Sequence, residues 1–178
     1  MLWKVNTLTS LIITNIPFHR ILKRLINKCN SLVLQEDMDG NTPLHLAAQK
    51  GMKYSVQLLM ENHANVDARL NNCPKFVQRN SSYPHNYCYT MSCFRNFSLS
   101  TPLSLAAGSG HVKVVKLLLY FKAEICICDR NHATPLHCAV IKGHANVAKI
   151  LISAGAKCSV KDKDGYNALD LAIEYRHE

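Results

Sequence analysis

Nine histidines, eight cysteines and twelve carboxylates are the side chains of this 178-residue chain with the widest chemical reach. Metal binding is the first chemistry to test. Cys73, His85, Cys88 and Cys93 fall close together, but four residues separate Cys88 from Cys93 and no paired C-x2-C accompanies them. That spacing is at the wide end of what structural zinc sites use, and the second paired motif is missing. Cys126 and Cys128 form a C-x-C pair, read as ordinary reduced thiols. Cys158 stands between Lys157 and Lys161, cations that favour a reactive thiolate. Asp162, Asp164 and Asp170 cluster at turn and helix-start positions, where carboxylates cap backbone N–H groups. No G-x-S-x-G, G-x-x-x-x-G-K or H-E-x-x-H is present. The reading is therefore no catalytic residue, no metal site, no cofactor and no enzyme.

The histidines are periodic, and that leads back to the elements that position them. NTPLHLAAQKG begins at Asn41, STPLSLAAGSG at Ser100 and ATPLHCAVIKG at Ala133. Thr101 and Thr134 are 33 residues apart, and Thr42 and Thr101 are 59 apart, which is one period of 33 with 26 residues added. His45 and His137 share one slot of the repeat, where imidazole bridges the neighbouring turn. His111 and His144 share another, after the glycine that precedes a second helix. The division that follows is a degenerate repeat or leader over 1–36, repeats over 37–69, 96–128 and 129–161, an insertion over 70–95, and a partial repeat over 162–178.

One unit can be read from its residues. Thr134 is an N-cap and Pro135 takes the first helical position, where its missing N–H costs nothing. Leu136, Ala139 and Val140 form the apolar face of a short first helix. Gly143 ends it in the left-handed conformation. A second helix follows over 144–152, with Val147, Ile150 and Leu151 inward. Such a unit cannot bury its own apolar face, so stability must come from stacking on its neighbours. Within 1–36, His19, Leu22, Leu25 and Ile26 match the second-helix slots, whereas the front half, with Pro17, matches poorly. The second unit has Leu99 where others have Gly40 and Gly165, and Ser104 in place of the histidine. In the last unit, Asn167-Ala168-Leu169-Asp170 replaces T-P-L-H, and Leu169, Leu171 and Ile173 are expected to lie uncovered.

The 33-residue period carrying T-P-L-H-x-A resembles the ankyrin-repeat family over residues 19–69 and 96–178. The resemblance implies an all-α solenoid of helix-turn-helix units with β-turn fingertips, here with one long inserted loop. It also implies a non-catalytic module that binds another protein through its concave fingertip and first-helix surface. On those slots the candidate partner-binding residues are Met38, Asp39, Asn41, Gln49, Lys50, Arg130, Asn131, Ala133, Ile141, Lys142, Lys163, Asp164 and Tyr166. The tandem is also similar to repeats in the cytosolic part of TRPA-type cation channels. A second reading is thus a truncated cytosolic segment of a larger membrane channel or receptor, for which few repeats and an uncovered end predict a weak, broad thermal transition.

Residues 70–95 carry two prolines, three cysteines, three tyrosines and no helical or strand period, which reads as loop. It is open as a solvated loop, as a partner-binding extension using Tyr83, Tyr87 and Tyr89, as a metal site, or as a splicing or gene-model artefact. The net charge of +9 is spread over the units, from +4 in 129–161 to −3 in 162–178. Dispersed lysines without basic-aromatic alternation argue against a nucleic-acid partner. No apolar run of about 18 residues exists, so no direct membrane span is expected. Leu8–Ile16 is too polar in its middle for a signal peptide, which leaves the sequons at Asn80 and Asn96 unused. The cysteines then read as reduced thiols of a cytoplasmic protein, or of the cytoplasmic face of a membrane within a larger chain.

Overall fold

The computed structural model describes residues 19–37, 40–70 and 99–175. Among them are eight α-helices, one 3-10 turn at Asn30–Leu34 and no strand. The helices are α1 (His19–Lys28), α2 (Pro43–Gln49), α3 (Lys53–Glu61), α4 (Pro102–Gly108), α5 (Val112–Tyr120), α6 (Pro135–Ile141), α7 (Ala145–Ser153) and α8 (Ala168–Glu174). Pairs α2/α3, α4/α5 and α6/α7 are antiparallel hairpins. First helices stack in the order α2, α4, α6, α8, and second helices in the order α1, α3, α5, α7. This is the expected all-α solenoid.

Local chemistry sets the helix starts. The Oγ1 of Thr42, Thr101 and Thr134 accepts the backbone N–H three residues on, at 3.4, 3.2 and 3.5 Å. Proline occupies the first turn of each of these helices. In α8 the Asn167 side chain accepts from Leu169 N and Asp170 N, and Asp170 Oδ2 accepts from Asn167 N at 3.0 Å, a reciprocal cap.

Helix ends are set by left-handed residues. Every positive φ among the described residues falls in one of three slots of the repeat. Gly51, Gly110 and Gly143 end the first helices, with φ of 70–74°. His63, Lys122 and Gly155 end the second helices, and Gly40, Leu99, His132 and Gly165 turn the fingertips. The glycine that Leu99 replaces is therefore replaced in residue type but not in conformation. After each of α2 to α7 a Schellman bond closes the end, as in His144 N to Ala139 O and Ala156 N to Leu151 O, both 2.9 Å.

The core runs along the stack. Leu44, Leu103 and Leu136 on the first helices and Leu59, Leu118 and Leu151 on the second are at most 1% exposed. Ala47, Ala106 and Ala139 are fully buried and let adjacent hairpins approach closely. Leu22 and Ile26 bring α1 into the same core. At the far end Leu169 and Ile173 are 64% and 70% exposed, as their sequence position implies. Leu171 differs: it is buried, turned inward toward α6.

Stacking continues across the insertion. His111 Nε2 reaches Gln49 O at 2.9 Å and Glu124 N donates to Asp67 Oδ1 at 2.9 Å, so the second unit sits directly on the first. Leu70 N donates to Ser100 O at 3.2 Å. In the other fingertips the same closing bond joins residues four apart: Asp37 to Asn41, Asp129 to Ala133 and Asp162 to Tyr166, each 2.9 Å. The chain therefore leaves and re-enters the stack at one fingertip, with Leu70 and Ser100 tied to each other. Leu70, the first inserted residue by sequence, is itself buried.

Candidate partner-binding surface

Three fingertips are built by an aspartate. Asp129 Oδ1 accepts from Asn131 N at 2.8 Å and Ala133 N at 2.9 Å. Asp162 Oδ1 does the same for Asp164 N and Tyr166 N at 3.0 and 2.9 Å. Asp37 Oδ1 takes Asn41 N at 2.8 Å, and both its oxygens receive the Asn41 amide. In each of the three turns the aspartate Oδ1 holds backbone N–H groups of the fingertip, which is a structural role. Neighbouring fingertips are also joined, by Lys163 N to Asn131 O at 2.8 Å.

In two units a buried histidine ties the first helix to the fingertip that follows it. His45 is fully buried. Its Nε2 faces Ala68 O at 2.9 Å and Ser100 O at 3.2 Å, so Nε2 carries the proton. Its Nδ1 then accepts from Thr42 Oγ1 at 2.8 Å and Thr42 N at 3.2 Å. His137 repeats this with Thr134 and with Val160 O at 3.0 Å. Burial pushes the His45 pKa down to about 4, against the opposing pull of the Ser100 and Ala68 carbonyls and the charge of Asp37. The expectation that these histidines bridge the neighbouring turn holds, and each belongs to a hydrogen-bonded cap that leaves no open position for a substrate.

The second histidine slot holds the units to one another. His111 and His144 lie at the starts of α5 and α7, yet their side chains cap neither helix. Each ring crosses instead to the preceding unit, His144 Nε2 meeting Gly108 O at 3.1 Å. Each lies against a glycine of that unit. A Cβ on Gly51 would come within 2.6 Å of the His111 ring, and one on Gly110 within 2.8 Å of the His144 ring. Glycine is required at both for space as well as for conformation.

The residues picked out by slot divide as follows. Gln49 and Lys50 at the end of α2, Lys142 at the end of α6, and Arg130, Asn131, Lys163, Asp164 and Tyr166 on the fingertips are exposed. Ile141 is half-buried, and Asn41 is half-buried with its amide held by Asp37. Ala133 is a correction: it is 7% exposed, because its N–H and C=O both close the Asp129 turn and draw the methyl inward. Met38 and Asp39 lie outside the described residues. The row at the helix-1 end also includes Ser109, Glu174 and Tyr175, which sequence reasoning left out. The 33-residue spacing alone identifies them, since they occupy the Lys50/Lys142 and Gln49/Ile141 slots.

The cysteines separate by environment. Cys29, Cys126 and Cys158 are exposed. Burial pushes the Cys138 thiol up to about 12, and raises that of Cys128 as well. Among the described residues no group of three or more His, Cys, Asp or Glu could hold a metal ion. Cys73, His85, Cys88 and Cys93 lie outside them, as do Tyr83, Tyr87 and Tyr89. No described helix is long and apolar enough to cross a membrane.

Comparison with known proteins agrees with this architecture. A family model of ankyrin repeats (3 copies) matches residues 73–162 and 103–178, and a single ankyrin-repeat model matches 39–71. The human transient receptor potential cation channel subfamily A member 1 is 33% identical over 116 residues, 60% of this chain. The match spans about a tenth of the length of that relative.

Proposed function

This chain belongs to the ankyrin-repeat family, whose units are protein-interaction modules, and on that premise we propose that it is a non-catalytic module that binds a partner protein. The contact surface in this reading is the fingertip row with the exposed ends of α2 and α6. The observation that carries it is the fingertip insertion. Its roots, Leu70 and Ser100, are pinned together on the edge that also presents Arg130, Lys163 and Tyr166. A loop of that length beside a rigid row adds contact area without disturbing the stack. Its sequence includes Tyr83, Tyr87 and Tyr89, and tyrosine is enriched at protein interfaces. The module works in the cytoplasm, where its thiols stay reduced. Its similarity to a cation channel subunit supports a second reading, in which the same surface belongs to the cytoplasmic ankyrin segment of a larger membrane channel or receptor.

The test compares three proteins as baits: the intact chain, the chain with residues 71–98 shortened to a two-residue turn, and Lys142→Glu/Lys163→Glu/Tyr166→Ala. Proteins retained from a cell lysate are identified by cross-linking and mass spectrometry. The expected result is a protein cross-linked to the fingertip edge and lost from both variants. Retention unaffected by either change, with cross-links confined to the second helices, refutes the reading.

A further inference from the structure

The second helices form a face that partner binding through the fingertips does not use. The sequences of α1, α3, α5 and α7 hold eight Lys/Arg residues and one carboxylate, Glu61. The cations are ordered. Arg24, Gln57, Lys116 and Lys149 occupy one slot of the repeat and all four are exposed. Stacked helices lie about 8–10 Å apart, so this slot draws a straight row across the stack. Tyr54 and Lys113 form a parallel exposed row. Tyr54 is 71% exposed and Tyr120 76%. Ile152, 49% exposed, adds an aliphatic edge. The carboxylates Asp164, Asp170 and Glu174 belong to the last unit, away from these four helices.

We propose that this second-helix face docks on the surface of an anionic phospholipid bilayer. The charge complements such a surface, and each cation brought near it contributes about five-fold to partitioning. Tyrosine and isoleucine tips suit the headgroup boundary, where one end of a side chain is apolar and the other wet. A nucleic acid would gain nothing from Ile152 and would favour arginine, whereas the rows are mostly lysine. An acidic peptide needs a groove, and the rows form a ridge of exposed side chains. Docking by this face leaves the fingertip row turned away from the lipid and available to a protein. The two surfaces are independent, so failure here leaves the fingertip reading untouched.

Co-sedimentation of the full chain with vesicles tests this. Phosphatidylcholine vesicles with about a third phosphatidylserine are compared with pure phosphatidylcholine at about 0.1 M salt, where the screening length is about 10 Å. The chain is expected to partition onto the anionic vesicles only. The variant Lys113→Gln/Lys116→Gln/Lys149→Gln changes exposed side chains alone and keeps the helical circular dichroism of the parent. It is expected to lose about 100-fold in partitioning. The control Lys50→Gln/Lys142→Gln/Lys163→Gln removes the same charge from the fingertip side and is expected to lose less than five-fold. Equal losses in the two variants, equal binding to both vesicle types, or tighter binding to a short DNA duplex than to the anionic vesicles overturns the proposal.

Discussion

Acid should weaken this fold through His45 in a calculable way. The residue is fully buried, with its proton on Nε2 between two carbonyls and Nδ1 facing two donors of Thr42. Adding a proton at Nδ1 sets it against the Thr42 N–H and places an imidazolium in the core. The folded pKa is about 4, against about 6.5 in the unfolded chain. The sign follows from proton uptake. Above pH 6.5 both states are neutral and the full contribution of His45 is present. Between pH 6.5 and 4 the unfolded chain takes a proton that the folded chain refuses, so stability falls as pH falls. The slope is about 1.4 kcal/mol per pH unit, giving about 3 kcal/mol in total. Below pH 4 this residue adds no further loss. The control is His45→Ser, which reproduces the second unit, where Thr101 Oγ1 and Ser104 Oγ lie 3.1 Å apart. Urea unfolding of both proteins is measured at pH 7, 6, 5 and 4, so that the other eight histidines cancel in the difference. The variant is expected to be less stable by about 2–4 kcal/mol at pH 7, having lost buried hydrogen bonds and volume. That deficit should shrink by about 3 kcal/mol toward pH 4. A deficit constant within about 0.5 kcal/mol across the series refutes the neutral buried imidazole.

Gly110→Ala should cost about 2–3 kcal/mol, from strain at φ +74° and from the His144 ring it displaces, with its bond to Gly108 O. In a His144→Ala background the cost should fall to the strain alone, about 1–2 kcal/mol, and Gly165→Ala, with nothing within 4 Å, should show that smaller figure directly. Urea midpoints for the parent and the four variants check this, and an unchanged cost without His144 contradicts it. Lys122→Gly relieves a left-handed φ of 65° at an exposed position and should raise the urea midpoint, by a gain in unfolding free energy of about 0.3–1 kcal/mol after the entropy glycine adds to the unfolded chain. A lower midpoint means that Lys122 makes contacts that outweigh its strain. Mild alkylation at pH 8, followed by peptide mass spectrometry, should label Cys29, Cys126 and Cys158 well before Cys138, whose thiol burial holds near 12. Equal rates for Cys138 and Cys158 in the folded protein rule out that burial.

Much of this protein was decided by the sequence alone, because its signals are local. A threonine, a proline and a side chain three residues on make a helix start without outside help, and three such starts fix the period. The first-helix glycines follow from the left-handed φ that any helix of this length needs to stop. Periodicity likewise brought Gln49, Lys50 and Lys142 to one exposed edge. What the chain could not show by itself is whatever depends on atoms far apart in sequence. Leu99, His132, His63 and Lys122 take left-handed φ values that their residue types disfavour, because the stack closes those turns around them. Ala133 counts as a fingertip residue by spacing, yet its turn draws it inward. The ring of His144 looks like a helix cap and serves instead as a strut to the preceding unit. The insertion shows both halves. Its length and its entry at a fingertip turn are legible from the 59-residue interval and the register, but only the stack shows that its two roots are tied, by the bond from Leu70 N to Ser100 O. That bond joins residues far apart in sequence, so no local signal carries it.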